Sequence, residues 1–489
     1  MRAAAGPVTA AWRGAAWVAG LLIASLAGCA QPGPAREPRS LADARQFGTT
    51  ESDAPWPSPR WWAPYGDTAL DRLVDAALAQ QPSLQVAEAR IRQAAAAAAG
   101  AEASSGPQTQ LSADATLQRF TEHGLVPPAL AGATRWNNNL QLGLRWDLDL
   151  FGRQRAALDA AIGRQRAAQA DAEAARVELA AQVVQQYVQL ARTVALRGLA
   201  GRVWQNRRQT LELVQQRVET GLDGRAELHR AEAAVLQAAQ DIDAHDEAAE
   251  RQRHALAELC GQGPSSLAGL SPLLPAPRLD PAAQVLPADL LGRRADLVAQ
   301  RWRVEAALHD VTLARAQFMP NLDLGAFVGL SSLGLGRWLN LGSRTAGVGP
   351  ALRLPLFDAG RLRAGLDARG AELDAAIEAY NGTLLRALHE AADEIGTLQA
   401  LQRLQQGDAE LGHRHEALLQ IARQRRQAGL GHRLAVLAAE EQLLLMHRTA
   451  IDLQARRVGA EAALARALGG GIAIGSPPRA ATEPPTTLR

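Results

Sequence analysis

One phrase occurs twice in this sequence, and this duplication constrains the fold more than any other feature. Leu148–Arg155 (LDLFGRQR) recurs as Leu354–Arg363 (LPLFDAGRLR). Farther along the chain, Arg217–Leu222 and Arg425–Leu430 share an arginine, a glycine and a leucine at an offset of 208 residues. A repeat unit of roughly 200 residues is far longer than a solenoid module. We therefore expect two similar halves that build one object.

Composition excludes several classes of function. The 489 residues include 52 basic and 50 acidic side chains, with no block of basic residues, so we expect no nucleic-acid partner. Every basic residue is arginine, and the absence of lysine excludes a lysine nucleophile or Schiff base. Most apolar residues are alanine and leucine, whereas phenylalanine and tyrosine together number nine, which favours thin, closely packed helices.

The first 28 residues have the pattern of a signal peptide. Arg2 and Arg13 flank an n-region, and the apolar stretch that follows, from about Ala15 to Leu26, is too short to span a membrane. Leu26–Cys29 (LAGC) comes at its end. This ending is similar to the lipobox of bacterial lipoproteins, in which Cys29 becomes the acylated first residue. The other cysteine, Cys260, then has no disulfide partner within the chain, and we expect it to be a small buried residue.

Long helical patterns dominate the rest of the chain. Phe151–Glu219 and Arg361–Gln427 contain no proline and many good helix formers, and each predicts a helix about 100 Å long. A glycine ends each of these helices, and a shorter antiparallel helix follows, at Arg225–Leu259 and Leu434–Leu468. Further helical patterns precede the strand signals, at Ala69–Ala103 and Ala288–Gln317.

Alternating patterns predict one β-hairpin in each half. Apolar and polar residues alternate along Trp136–Leu150, and weaker alternation occupies Thr109–Arg119, Leu322–Leu330 and Ala346–Leu356. Four such strands cannot close a membrane barrel, because known single-chain barrels begin at about eight strands. Either several chains share one barrel, or the strands belong to a soluble sheet.

These patterns divide the chain into six segments. They are a lipoprotein signal peptide (1–28), a lipidated N-terminal tether (29–66), the first structural repeat (67–265), an inter-repeat linker (266–287), the second structural repeat (288–468) and a disordered C-terminal tail (469–489).

The order and spacing of these motifs resemble the TolC-like outer-membrane efflux protein family, in its lipid-anchored form. The residues that carry the resemblance are the lipobox at Cys29, the phrases Trp146–Arg153 and Leu354–Arg361, the second-repeat opening Leu286–Leu297, and the helix tips at Gly221 and Gly429. The resemblance covers about Trp61–Leu468. It implies a membrane α+β fold in which a duplicated helix-hairpin and β-hairpin unit forms a trimeric, twelve-stranded outer-membrane β-barrel. That barrel is continuous with a twelve-helix periplasmic α-barrel.

The resemblance also implies a function and partners. The chain would be the passive exit duct of a tripartite efflux system, with no cofactor. Its partners would be two further copies of itself, a periplasmic adaptor, an inner-membrane resistance-nodulation-division pump and outer-membrane lipid. The helix tips that would form the periplasmic aperture and contact the adaptor are Gly221, Leu222, Asp223, Gly429, Leu430 and Gly431. The junctions between barrel and tunnel would lie at Phe151, Gly152, Pro355, Phe357 and Gly360.

One departure from the family concerns the constriction of the tunnel. Many members place carboxylates at the sixth and ninth positions after the second tip glycine, where this chain has Ala435 and Ala438. We therefore hypothesise that Asp223 and Glu227 supply a charged pore constriction. The alternative is that both are solvated charges at the tip.

Other functions have less support in the sequence. The glycine run 469–475 lacks the lysine and hydroxyl residue of a phosphate-binding loop, and His413 and His415 do not share a helix face, so we expect neither an enzyme nor a metal site. A lipid-anchored periplasmic coiled-coil adaptor or structural protein is the alternative, because it would share the long helical hairpins. The sequence leaves open which cargo is exported and which pump and adaptor are used.

Overall fold

The fold is described from a computed structural model, which covers residues 39–47, 57–279 and 293–471. The signal peptide, Cys29 and the C-terminal tail from residue 472 onward lie outside the described residues. Of the predicted disordered tail, only Gly469–Gly471 is described, and these three glycines form a turn with positive φ angles.

Seven α-helices occur in the described part of the chain: α1 (Thr68–Gln80), α2 (Pro82–Ser104), α3 (Arg153–Glu219), α4 (Arg225–Leu259), α5 (Ala295–Ala316), α6 (Arg361–Gln427) and α7 (Arg433–Ala467). The long helices α3 and α6 have 67 residues each, as the proline-free helical patterns predicted. In the described segments, no helix has an apolar stretch of the length and hydropathy needed to cross a membrane.

The prediction of one helix over Ala69–Ala103 is wrong. The chain breaks between α1 and α2, where Gln81 takes an extended conformation immediately before Pro82. Proline disfavours the helical conformation of the preceding residue and has no N–H to continue the first helix. Two shorter helices therefore replace the predicted single one.

The four predicted strands are confirmed and form one antiparallel sheet. They are β1 (Gln108–Arg119), β2 (Thr134–Asp147), β3 (Asn321–Leu333) and β4 (Arg344–Arg353), in the spatial order β1-β2-β3-β4. Each repeat contributes one hairpin, and the two hairpins are joined because β2 pairs with β3.

The register separates an apolar face of this sheet from a polar one. Leu111, Leu142 and Val328 lie in one cross-strand row, and Leu140 pairs with Leu330 two residues along. The rows between them carry Gln, Gly, Ser and Thr, for example Ser112 opposite Gln141. The alternation predicted from the sequence therefore persists across all four strands.

The chain divides into two compact units, and both long helices contribute residues to each. The strand unit contains Arg92–Arg166 and Trp302–Ala379, together with the described residues up to Leu41. The helical unit contains Ala42–Ile91, Ala167–Arg301 and Tyr380 onward.

The core of the helical unit forms where α1 packs on α3. Leu70 and Val74 of α1 are buried in one cluster with Val184 and Tyr187 of α3, and Trp62 at the end of the tether joins the same cluster. Aliphatic side chains buried in this way contribute roughly 1.5–3 kcal/mol each. The N-terminal segment is thereby held on the long helix.

Cys260 is a buried free cysteine of this core, as predicted. Its Sγ lies 3.5 Å from the carbonyl oxygen of Leu73. Burial raises the pKa of the thiol to about 11, so the nucleophilic thiolate is disfavoured at neutral pH. The residue therefore acts as a small apolar side chain.

Candidate functional site

The first predicted junction, at Phe151 and Gly152, is a capped entry into α3. The Asp149 carboxylate accepts hydrogen bonds from the backbone N–H groups of Gln154 and Arg155, both at 2.9 Å. Asp149 and Gly152 have positive φ angles of 46° and 72°, which turn the chain sharply between strand and helix. Aspartate is one of the best N-terminal capping residues, since its oxygens partner N–H groups that the helix itself leaves free.

The second junction, at Pro355, Phe357 and Gly360, is built in the same way. The Asp358 carboxylate accepts from the N–H of Gly360 at 3.1 Å and from that of Leu362 at 2.7 Å. Gly360 has a φ angle of 87°. Neither capping aspartate is among the predicted junction residues, although an aspartate just before a helical run is a recognisable start signal.

The two junctions lie beside one cavity within the strand unit. Its volume is about 340 Å³, and its lining includes Phe151 from the first junction, Pro355 from the second, and the α5–β3 connection at Pro320. The structure therefore brings together residues that are about 200 positions apart in the sequence. The rings of Phe151 and Phe357 are exposed.

The two helix tips share one backbone geometry. After α3, Leu222 N–H donates to the Arg217 carbonyl at 2.7 Å, and Gly221 has a φ angle of 73°. After α6, the matching bond from Leu430 to the carbonyl of Arg425 measures 2.8 Å. This six-to-one bond with a left-handed glycine is the Schellman motif, which satisfies the last carbonyls of a helix.

Both tips present an exposed leucine. Leu222 is 68% exposed and Leu430 is 73% exposed, each directly after the tip glycine. Isolated apolar side chains are common on protein surfaces. In this chain the same exposed residue follows the tip glycine in both repeats.

The charges at the first tip are paired within the tip. Asp223 accepts from Arg217 Nε at 2.7 Å and from Nη2 at 3.0 Å, and these bonds hold the pKa of Asp223 below its usual range. Glu227 accepts from Arg230 Nη1 at 2.8 Å. Both predicted constriction residues therefore have a cationic partner, which depends on the turn geometry and is not apparent in the sequence.

The second tip lacks this ion pair. Gly431 occupies the position that matches Asp223, and His432 instead caps α7 by accepting from the N–H of Ala435 through Nδ1 at 3.2 Å. Neither Ala435 nor Ala438 can carry charge. The tips are thus alike in backbone and different in side-chain chemistry.

The return helix α7 is attached to α3 by polar contacts along the helical unit. Arg207 Nε donates to Glu441 at 3.0 Å, and Arg192 Nε donates to Asp452 at 2.7 Å. Asn206 also donates to the carbonyl of Leu437 at 3.1 Å. The two repeats are therefore joined through their helices as well as through β2 and β3.

In the segments that the structure describes, no group of three or more His, Cys, Asp or Glu side chains is arranged to hold a metal ion. The tips and junctions consist of capping groups, paired charges and exposed apolar residues.

Comparison with known proteins decides the family. The family model described as "Outer membrane efflux protein" matches residues 73–262 and 286–470, which is most of the chain. The chain belongs to the outer membrane efflux protein family.

Individual relatives agree with this assignment. The chain is 34% identical to the fusaric acid resistance protein FusA of Burkholderia cepacia over 476 residues, which covers 92% of this chain and 87% of FusA. It is 32% identical to the multidrug resistance outer membrane protein MdtP of Escherichia coli K12 over 431 residues, covering 86% of this chain and 88% of MdtP.

Solved structures show the same fold. The outer membrane protein VceC of Vibrio cholerae superposes with a TM-score of 0.78 at 36% identity, over 85% of this chain and all (100%) of VceC. The outer-membrane channel OprN gives a TM-score of 0.78 at 28% identity, over 91% of this chain and 99% of OprN.

Family membership confirms the predicted fold class and location. This efflux protein is an outer-membrane channel that extends into the periplasm, with the trimeric β-barrel and helical periplasmic barrel of its family. It is an efflux channel and not the adaptor that was the alternative. The family is one of channels and not of enzymes.

Proposed function

We propose that this chain is the passive exit duct of a tripartite system. An inner-membrane resistance-nodulation-division pump would drive the cargo, a periplasmic adaptor would pass it on, and three copies of this chain would conduct it outward. The two-faced sheet is the observation that carries this proposal. Its apolar face contacts lipid and its polar face lines the conduit, as in outer-membrane barrels. Passage through such a conduit makes and breaks no covalent bond, so the duct needs neither a catalytic residue nor a cofactor.

The helix tips are the proposed contact with the adaptor. Leu222 and Leu430 are exposed on backbone turns of the same geometry, so one adaptor surface can bind both tips. The chain reverses direction at both tips through Gly221, Gly429 and Gly431. Because glycine has no side chain, these turns add no side chains at the contact. Burying an exposed leucine side chain against a partner removes apolar surface from water, which favours association.

The adaptor contact can be tested by substituting the tip leucines. Leu222→Glu and Leu430→Glu should abolish drug efflux and adaptor cross-linking in cells that express the matched pump and adaptor. Leu418→Glu is the control, because Leu418 is also exposed but lies within α6. Full efflux by the tip variants, at normal expression, would contradict the proposed contact.

For the constriction, Glu227 is the stronger of the two proposed residues. Its side chain is 44% exposed, whereas that of Asp223 is 18% exposed and is held by two bonds from Arg217. Three copies of Glu227 around a three-fold axis would favour cations. In planar bilayers, Glu227→Gln should therefore reduce cation selectivity more than Asp223→Asn does. Unchanged cation selectivity in both variants would contradict the proposed constriction and would mean that Asp223 and Glu227 are solvated charges at the tip.

The lipid anchor at Cys29 is also part of the proposal. Arg39 Nη1 donates to Glu378 at 2.7 Å, and Arg39 N–H donates to Asp374 at 3.2 Å, so the tether contacts α6. The ten residues from Cys29 to Arg39 span at most about 35 Å. Asp374 lies 13 residues, about 20 Å, after Arg361 at the start of α6. The acyl group can therefore reach the level of the junctions.

Acylation can be measured by palmitate labelling. Labelled palmitate should be incorporated into the wild-type chain and not into Cys29→Ser. Incorporation into Cys29→Ser would contradict the assignment. The six-segment division of the chain stays a prediction, which mapping the mature N-terminus would test at its first boundary.

A further inference from the structure

The polar face of the sheet contains a cavity of about 650 Å³. That volume is within the usual range for small-molecule sites, roughly 300–1,000 Å³. The cavity lining includes Gln108, Gln110, Gln141, Arg145 and Phe327, and also Leu144, Ala326 and Val348, which alternate with the polar-face residues along the strands. Its floor is formed by Gly143, Gly325, Gly347 and Gly349. Amide groups, one guanidinium group and one aromatic ring thus surround the backbone of the four glycines.

Phe327 forms one wall of a slot in this cavity. It pairs in register with Gly347 on β4, where an added Cβ would lie only 2.6 Å from Phe327 Cε1, so the ring lies over that glycine. On the other side, Phe327 pairs with Gly143, and Gly143 pairs with Gln110. An added Cβ at Gly143 would meet only the Gln110 carbonyl, at 3.8 Å. The strands of Phe327 and Gln110 are about 9.5 Å apart, which leaves room between them for a planar ring.

Arg145 supplies positive charge at the edge of the same slot. It lies diagonally across from Phe327, since Arg145 pairs with Gly325, and such diagonal neighbours are about 7–8 Å apart. Its Nη2 donates to Asp323 at 2.7 Å, yet its side chain is 60% exposed, whereas that of Asp323 is 4% exposed. Arg353 also approaches Asp323, at 3.7 Å. One buried carboxylate therefore faces two guanidinium groups, and Arg145 keeps N–H groups for an anion.

We propose that this cavity is a transit site for planar aromatic carboxylates. The aromatic ring of the ligand stacks on Phe327 above Gly143, and its carboxylate accepts hydrogen bonds from Arg145. Gln110 and Gln141 bind polar substituents of the ring. The inference rests on the proposed function, because the polar face must line the conduit for the cavity to meet cargo.

The test is equilibrium binding of 2-naphthoate to the purified full-length trimer in detergent, by titration calorimetry. Neutral 2-naphthylmethanol and saturated decahydro-2-naphthoate are the ligand controls. Arg145→Gln should weaken 2-naphthoate binding at least about tenfold, because a hydrogen bond to a charged group is lost. Phe327→Leu should weaken it about fivefold, because the stacked ring is lost. Gly347→Ala should weaken it as well, because the new methyl group displaces the Phe327 ring.

Arg344→Gln is the matched control variant. It removes the same charge from the same sheet, but Arg344 pairs with Leu330 on the apolar face. Its affinity for 2-naphthoate should equal that of the wild type. Arg145→Lys retains the charge and should recover part of the affinity, which a folding defect would not allow.

Three results would overturn the inference. They are equal losses in Arg344→Gln and Arg145→Gln, wild-type affinity in Arg145→Gln and Phe327→Leu, or binding of either control ligand as tight as that of 2-naphthoate. Conductance of the same preparation in potassium chloride separates this test from the proposed function. A trimer that conducts without binding 2-naphthoate refutes the transit site alone. A trimer that binds the ligand and does not conduct refutes the proposed duct.

Discussion

Replacing Glu461 with alanine should release the linker between the repeats from α7. The Glu461 side chain is 2% exposed and accepts four hydrogen bonds from three donors. The backbone N–H groups of Arg278 and Leu279 donate at 2.9 and 3.0 Å, and the hydroxyl of Tyr65 donates at 3.0 Å. One carboxylate therefore holds the linker and the end of the tether together.

The expected loss of stability in Glu461→Ala follows from the three buried donors that would lose their acceptor. Each buried donor without a partner costs about 1–3 kcal/mol, so three of them cost about 3–9 kcal/mol. Burial raises the pKa of Glu461, which means that keeping this carboxylate ionised already costs the fold some free energy. The lower end of the range, about 3 kcal/mol, is therefore expected. Glu461→Gln keeps one acceptor oxygen and should lose less.

Hydrogen exchange at the amides of Arg278 and Leu279 measures this loss directly. A local loss of about 3 kcal/mol speeds exchange by about 100-fold, since 1.36 kcal/mol corresponds to a factor of ten. Glu416→Ala is the control, because the Glu416 side chain is exposed and lies 3.6 Å from His413. Unchanged exchange at both linker amides in a folded Glu461→Ala trimer would refute the reasoning.

Three further predictions concern the tips and the second junction. Gly429→Ala should destabilise the second tip by about 1–2 kcal/mol because the φ angle of 72° is unfavourable for alanine. Gly412→Ala is the control: Gly412 lies within α6 with open space around it, so alanine there should stabilise the protein. Equal Tm values for the two variants would contradict this prediction. The lowered pKa of Asp223 means that its ion pair stabilises the tip above the ordinary aspartate pKa of about 3.9 and is lost as pH falls through the lower folded value. Corrected amide exchange at Leu222 should therefore accelerate only in acid, and an Asp223→Asn variant that kept the same pH profile would exclude the ion pair as the cause. Asp358→Ala should cost about 1 kcal/mol through loss of the α6 cap, and thermal dissociation of the trimer at the wild-type temperature would contradict a capping role.

The long helices and the strands could be predicted because their signals are local. α3 and α6 follow from proline-free runs of good helix formers, and a glycine in the left-handed conformation lies just after each helix. The alternation in β2 is equally local, since it depends only on neighbouring residues. The break before α2 also has a local signal, because Pro82 disfavours the helical conformation of Gln81.

The interactions that define the sites depend on register and on partners distant in sequence. Arg145 and Asp323 are 178 positions apart, and only the pairing of β2 with β3 brings them together. Glu461 meets Arg278 across 183 positions because the linker between the repeats lies against α7. Asp223 was recognised as a charge at the tip, but its pairing with Arg217 requires the turn geometry around Gly221. Sequence patterns therefore predict where the long helices begin and end, but not which charges are paired there.

The most direct test of the duct is single-channel recording on the full-length chain extracted from outer-membrane fractions. The protein should migrate as a trimer that heating converts to monomers, and the unheated trimer should give stable conductance in a planar bilayer. Heating should abolish that conductance together with the trimer. A monomer recovered from inner-membrane fractions, with no conductance before heating, would contradict the central claim.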